Sequence, residues 1–399
     1  MSEILDYAVE KIKGAQAAFC RFITANDTGK NGSHQAGFYI PKCAASLLFN
    51  EPGIKGENKD KYVKVKWQND FITNSRFIYY GKGTRNEYRI TCFGKAFPFF
   101  EEDNVGDLLI IAKETDEDYC GIVLQNDEDI DNFFAYFNLS PETTNQLIET
   151  DQVKSPDEKL ADYFVKFIDG FSDFPETIRM AQFARECYNK IHGISSSDIC
   201  ISPDQHILKW IEAEYSLFRC FEEKIYGNIY KNPFENCQAL IDFANTILNR
   251  RKSRAGKSLE HHLATIFTAA KLEFEGQVVT EDNKKPDFIF PGGDAYHNLH
   301  FSAEKLIFLG AKTTCKDRWR QVLNEANRIG TKHLFTLQQG ISKNQLKEMR
   351  HERLILVVPQ AYKKFFDKEY QDEIQTLSSF IQMVQLKQQE RPSVFIFQD

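Results

Sequence analysis

Between Asn283 and Glu325 an aspartate heads one apolar run and a lysine ends another. Asp287 precedes Phe288–Phe290, and Lys312 follows Leu306–Leu309, Gly310 and Ala311. Short apolar runs of this kind predict β-strands. Paired strands bring a carboxylate and an ammonium to one edge of a sheet. There the carboxylate can hold a hard divalent cation through oxygen, and the lysine can stabilise charge on a phosphate. Taken singly, Asp287 is also an ordinary strand-edge turn residue and Lys312 a solvated strand-end lysine. One aspartate rarely holds Mg2+ unaided. The position two before Lys312, a natural place for a second acid, is Gly310. Glu325 supplies that carboxylate if a helix runs from Arg318 to Ile329, because helical spacing turns it back toward the strand end. An exposed helix glutamate is the plainer reading of the same residue. Glu260, one turn into a helix after the cluster RRKSRAGK, is a further candidate carboxylate.

Two basic patches flank these acids. Arg250, Arg251, Lys252, Arg254 and Lys257 place five cations and no anion within eight residues. Lys312, Lys316, Arg318 and Arg320, less Asp317, leave a net +3 over nine residues. A charge cluster is commonly a solvated face; two of them around one acidic site favour phosphate binding. Lysine and arginine match guanine's major-groove acceptors, and aspartate accepts from the cytosine amino group. Lys316, Asp317 and Arg318 are therefore a candidate reader of adjacent G·C pairs, competing with a capped, salt-bridged helix start. Tyr296, beside His297, has the chemistry of a covalent nucleophile, but no arginine–histidine constellation accompanies it and a loop aromatic is the better reading. His261 and His262 are adjacent on a helix and face different ways. No glycine-rich phosphate loop is present.

The chain carries 57 acidic and 50 basic residues, net −7, which excludes a uniformly basic surface and confines nucleic-acid binding to local patches. No apolar run approaches membrane-spanning length. The start, MSEILDYAVEKIKG, lacks the basic and apolar segments of a signal peptide. Nine cysteines stand singly, without metal-ligand spacing, and an odd count argues against a disulfide framework. Reduced thiols in a cytoplasm, with no membrane partner, are the expectation.

Length allows two or three domains. Residues 3–22 open with a helical period at Ile4, Leu5, Ala8, Val9 and Ile12. A polar loop over 25–37 leads into short strands: 38–40, 62–67, 76–80, 88–93, 108–112 and 121–124, the pattern of a small barrel or sandwich. Val63, Val65 and Trp67 share one face of their strand, Lys64 and Lys66 the other. Residues 141–174 read as a linker or hinge. Helices follow at 178–191, 206–226, 234–248 and 259–270. The last third alternates strands (287–290, 306–311, 334–337, 354–358) with helices (318–329, 343–350, 374–388), an α/β domain.

Several stretches resemble the EcoRII family of restriction endonucleases: NRRKSRAGKSLE at 249–260, NKKPDFIFP at 283–291, KTTCKDRWRQVLNEA at 312–326, ANDTGKNGSHQAGFYIP at 25–41 and TRNEYRIT at 84–91. The resemblance implies an α+β multidomain protein. Residues 1–140 would form a mostly β, DNA-binding pseudobarrel related to plant transcription-factor domains. Residues 141–174 would be the hinge, and 175–399 an α/β catalytic domain of the PD-(D/E)XK type whose second carboxylate moved onto a helix. Asp287, Lys312 and Glu325 fall on that pattern, and Glu260 matches an upstream acidic position. Asp287, Glu325 and Glu260 would hold Mg2+. Lys316, Asp317 and Arg318 fall where relatives read the CC:GG part of a CCWGG-like site, with Arg250, Arg251 and Arg254 beside them. His34, Tyr39, Lys82, Arg85, Asn86, Glu87 and Arg89 fall on the DNA-facing pattern of the N-terminal domain. Here the loop reads GKGTRNE where the family has GKTRNE, so Gly83 displaces Lys82.

The leading functional expectation is a type IIE, Mg2+-dependent endonuclease that cuts both DNA strands and leaves 5′-phosphate ends. A near-palindromic site implies two-fold symmetry and hence a homodimer. The resemblance also implies a second copy of the site as effector DNA, bound by an N-terminal domain that otherwise blocks the active site. From a different class comes a sequence-specific DNA-binding regulator with an inactive nuclease domain. A structure-selective nuclease is the third reading.

Overall fold

The computed structural model describes residues 2–29, 37–148 and 158–389. Ser2 accepts from the Leu5 amide and starts helix α1 (Glu3–Lys13), which Gly14 ends. Strand β1 (Ala17–Phe22) follows. The helical period expected over 3–22 therefore covers only its first half. The remainder pairs with strands on both sides, and tertiary pairing overrides the local pattern.

A short helix α2 (Ala25–Thr28) precedes β2 (Phe38–Ile40), β3 (Lys59–Trp67), β4 (Ile72–Tyr80), β5 (Glu87–Thr91), β6 (Leu108–Lys113) and β7 (Asp118–Leu124). Helix α3 (Asp127–Phe137) and β8 (Gln146–Ile148) close this body. The eight strands run in the order β2-β5-β4-β3-β7-β6-β1-β8, antiparallel except at β3–β7. β8 lies within the stretch expected as linker and pairs with β1. One face of the sheet packs Phe19, Trp67, Phe77, Leu109 and Ile111 inward. The other buries Cys20, Phe22, Leu108 and Ile110 under α1 and α3. Covered on both sides, β6 is buried throughout and apolar from Leu108 to Ala112, while the singly covered β3 alternates Val63, Val65 and Trp67 with exposed Lys64 and Lys66.

The second body begins with helices α4 (Glu158–Asp169), α5 (Thr177–His192), α6 (Ser196–Ile201), α7 (Pro203–Tyr230) and α8 (Cys237–Ala269). The two helices expected at 234–248 and 259–270 are one. No proline interrupts α8, and Gly256 alone is too weak a breaker to split it. Its 33 residues span ~50 Å.

The sheet that follows holds β9 (Phe288–Phe290), α9 (Gly293–His297), β10 (Ile307–Lys312), β11 (Lys332–Thr336), α10 (Lys343–His351), β12 (Leu354–Val358), β13 (Gln375–Thr376) and α11 (Leu377–Gln389) in chain order. Strand order is β13-β12-β11-β10-β9, parallel except for β9. The expected helix 318–329 is absent. Arg318–Asn324 forms a 3-10 turn, Glu325 is extended and Ala326 is left-handed at φ 52°. Contacts from Lys284 and Lys332 to the Asn324 and Leu323 carbonyls hold this shape against the helical spacing. No helix among the described residues is long and apolar enough to cross a membrane.

Candidate active site

Antiparallel pairing of Phe288 with Leu309 sets Asp287 across from Gly310, at the edge where β10 ends. Asp287 is nearly buried, and its Oδ2 accepts from the Ala311 amide at 2.8 Å and from Lys312 Nζ at 3.3 Å. The sheet thus delivers the expected carboxylate–ammonium pair. Gly310 also gains a reason: a Cβ there would stand 3.0 Å from Val322 Cγ1. The 3-10 turn fills the space that a side chain at 310 would use, and the same turn carries Glu325 three residues later.

Glu325 sits on extended backbone just after the 3-10 turn, not on the helix face that its spacing suggested. Burial first, then the charge of Asp287, pushes its carboxyl upward, with Lys312, Lys332 and Lys284 opposing. Glu260 comes in from α8. Gln277 Nε2 lies 3.4 Å from Glu260 Oε2 and 3.5 Å from Asp287 Oδ1, so one amide joins the two acids. Gln277 left no mark in the sequence; a lone glutamine in a polar loop has no distinguishing pattern.

Among the described residues no three His, Cys, Asp or Glu side chains are gathered closely enough to cage a metal. Mg2+ does not require such a cage, since it takes one or two carboxylates and completes its octahedron with water and phosphate. Hard oxygen donors that repel one another beside Lys312 suit that ion.

Burial, then Asp287, pushes Glu260 up to about 7, with Lys312 and Lys257 opposing. The ordinary glutamate value is 4.5. Between these values the folded chain binds more protons than the unfolded chain, so stability falls as pH rises through this window. The thermal unfolding midpoint of metal-free protein is expected to decline from about pH 5 to about pH 7.5. Glu260→Gln should flatten that decline; a profile as steep as the parent's would exclude Glu260 as its source.

The base-reading candidates lie against the other body. Asp127, at the start of α3, accepts from the amides of Lys316 (3.1 Å), Asp317 (2.5 Å) and Arg318 (3.0 Å). Asp317 Oδ2 in turn accepts from the Asp127 amide at 3.0 Å. Lys316 Nζ contacts Asp107, and Arg318 Nη2 lies 2.7 Å from Asp131 Oδ2. The trio is thus held by ion pairs and amide contacts to the N-terminal body, not at the start of an α-helix.

The basic cluster on α8 is divided. Arg251 pairs with Glu222 at 2.7 Å and donates to the Ala135 and Tyr136 carbonyls near the end of α3. Arg254 is buried over the rings of Tyr215 and Phe218, and Arg250 covers Phe174. Ser258 and His262 anchor α8 through Glu214, at 2.7 and 2.9 Å. A cavity of about 180 Å³, lined by Asp131, Glu142, Arg251, Arg254, Glu260 and Lys312, lies where the two bodies meet. It has room for water but not for a duplex whose major groove alone is ~12 Å wide.

On the N-terminal sheet, Tyr39 and Arg89 are cross-strand partners, and Glu87 pairs with Arg89 at 3.3 Å. Asn86 accepts from the Tyr79 hydroxyl at 2.9 Å, and Arg85 lies over the Tyr80 ring. Lys82 is exposed on a turn where Gly83 takes φ 62°, a conformation glycine adopts without strain. Lys55 holds that turn by donating to the Gly83 and Arg85 carbonyls. His34 lies outside the described residues.

Residues 13–143 match the family described as restriction endonuclease EcoRII, N-terminal, and residues 218–381 match EcoRII C terminal. The type II restriction enzyme EcoRII of Escherichia coli is 35% identical over 390 residues, 91% of this chain and 92% of that protein. The type II restriction enzyme SsoII of Shigella sonnei is 26% identical over 153 residues, 36% of this chain and 49% of that one. Among solved structures, metal-depleted Ecl18kI in complex with uncleaved DNA aligns at TM-score 0.46 and 19% identity, covering 58% of this chain and 86% of its own. A PspGI–substrate DNA complex aligns at TM-score 0.45 and 14% identity, covering 55% and 95%. Identity sustained along nearly the whole of two chains displaces the regulator reading: this chain belongs to the EcoRII family of type II restriction endonucleases and is a site-specific deoxyribonuclease.

Proposed function

We propose that the chain cleaves double-stranded DNA at a CCWGG-like sequence, with Mg2+ as cofactor and as a homodimer in the cytoplasm. Residues 175–399 would hold the active site and 1–140 would bind a second copy of the sequence as effector. The observation that supports the catalytic part is the contact of Asp287 with Lys312 at one sheet edge, with Gln277 linking Asp287 to Glu260. Bound Mg2+ would supply Lewis acidity at the scissile phosphate. Asp287 and Glu325 would hold that ion, with Glu260 beside them through Gln277 as a further candidate. Lys312, already tethered to Asp287, would orient the attacking water and offset charge on the phosphate, leaving 5′-phosphate and 3′-hydroxyl ends. The nine cysteines are all free, which suits a reducing compartment.

Lys316, Asp317 and Arg318, with Arg250, Arg251 and Arg254, would face the substrate. Tyr39, Lys82, Arg85, Asn86, Glu87 and Arg89, with His34, would face the effector. The allosteric part is supported by Asp107, Asp127 and Asp131, which occupy the partners that DNA would need. Effector binding would draw the N-terminal body away. The expected result is rapid Mg2+-dependent cutting of a plasmid with two target copies and slow cutting of a plasmid with one. Sequencing the ends gives site and cut position. Equal rates on both plasmids would remove the effector role, and random ends would remove the CCWGG-like target.

A further inference from the structure

Glu325 gains its position from a segment with little regular structure, so something else must hold it. Three residues on, Arg328 directs its guanidinium to main-chain carbonyls of α9 and of the loop that follows it. Its Nη1 donates to Tyr296, to Asn298 at 3.1 Å and to Ala295 at 3.4 Å; its Nη2 donates to Phe301 at 2.7 Å. A guanidinium is a rigid planar fork, so four carbonyls fix it in place as well as in charge. Glu281 works from the other side. It accepts from the Tyr296 hydroxyl at 2.8 and 2.6 Å and from the Asn327 amide at 3.1 Å. Tyr296, buried and hydrogen-bonded to Glu281, is thus a member of this clamp.

Between this clamp and Glu325 lies Ala326, wholly buried at φ 52°. Residues with a Cβ avoid that region and remain there only where their surroundings hold them. The turn at Ala326 sets the direction in which the chain leaves Glu325. We propose that Arg328, backed by Glu281, is a positioning residue for Glu325: it locks the left-handed turn at Ala326 and so holds the Glu325 carboxylate beside Asp287. The inference rests on the reading of Glu325 as a cation-holding carboxylate.

Two readouts test it on the full-length chain. Ca2+, which also prefers oxygen ligands, is titrated calorimetrically into protein bound to a short target duplex. Single-turnover cleavage of a two-site plasmid is followed against Mg2+ concentration. Arg328→Ala should raise the half-saturating concentration of both ions about tenfold, the scale at which outer partners of metal ligands act. Arg328→Lys, which can satisfy some of the carbonyls, should fall between. Duplex binding in EDTA should match the parent.

Unchanged ion requirements in a folded Arg328→Ala, checked by circular dichroism, would overturn the proposal. If that variant does not fold, Glu281→Gln decides. A smaller shift in the same direction supports the clamp, and parental ion requirements overturn it. Should the parent itself take up no Ca2+ and cut nothing in Mg2+, the metal-site reading falls instead.

Discussion

Asp287→Ala is expected to lower the cleavage rate by about a thousandfold or more while the protein stays folded and still binds target DNA. The carboxylate does two jobs at once. It accepts from the Ala311 amide and from Lys312, fixing the end of β10, and it is the acid nearest that lysine. On the proposed reading, its loss would remove an oxygen that holds the cation and release the ammonium that would face the phosphate. Lys312→Ala should have a similar effect on rate, since one preorganised donor is worth about 10²–10³ in kcat. The measurement is single-turnover cleavage of a two-site plasmid over a range of Mg2+, beside gel-shift binding without metal. Either variant cutting as fast as the parent would move the reaction away from this sheet edge.

The second large effect concerns the contact between the two bodies. Asp127→Ala combined with Asp131→Ala should speed cleavage of single-site DNA about a hundredfold, with little change on two-site DNA. Asp127 accepts three amides of the 316–318 segment, and Asp131 pairs with Arg318 and accepts from Thr314 at 2.9 Å. Removing the buried Asp127, which accepts three amides, costs up to about 3–5 kcal/mol, and the partly exposed Asp131–Arg318 pair adds less. A shift of about 3 kcal/mol toward an open form gives the hundredfold estimate. Neither aspartate belongs to the catalytic centre, so chemistry in the open form should be unaffected. A double variant that still needs a second target copy as strongly as the parent would show that these contacts do not restrain the enzyme.

Local pattern was enough for much of the second body. Strands over 287–290, 306–311 and 354–358 and helices over 343–350 and 374–388 stand within a few residues of expectation. Each is a short apolar run or an amphipathic period between clear breaks, and nothing distant contradicts it. Local pattern failed where tertiary contacts overrode it. The apolar residues at 17–22 continue a helical period, yet strands on both sides claim them. Residues 318–329 have helical spacing, yet Val322 must fill the space beside Gly310 and Arg328 must reach the carbonyls at 295–301.

By itself the sequence determined residue types: the acids, the lysine, the basic clusters and the family they belong to. It therefore bounded the chemistry, because hard oxygen donors and an ammonium suit a cation and a phosphate whatever backbone carries them. Only the tertiary structure decided how they meet. Glu325 arrives from an extended segment, Gln277 joins two carboxylates 27 residues apart (260 to 287), and Lys316–Arg318 face Asp131, Asp127 and Asp107, 187 to 209 residues away (131 to 318, 107 to 316). Such pairings depend on which surfaces come together once the two cores are buried, and sequence spacing does not encode that.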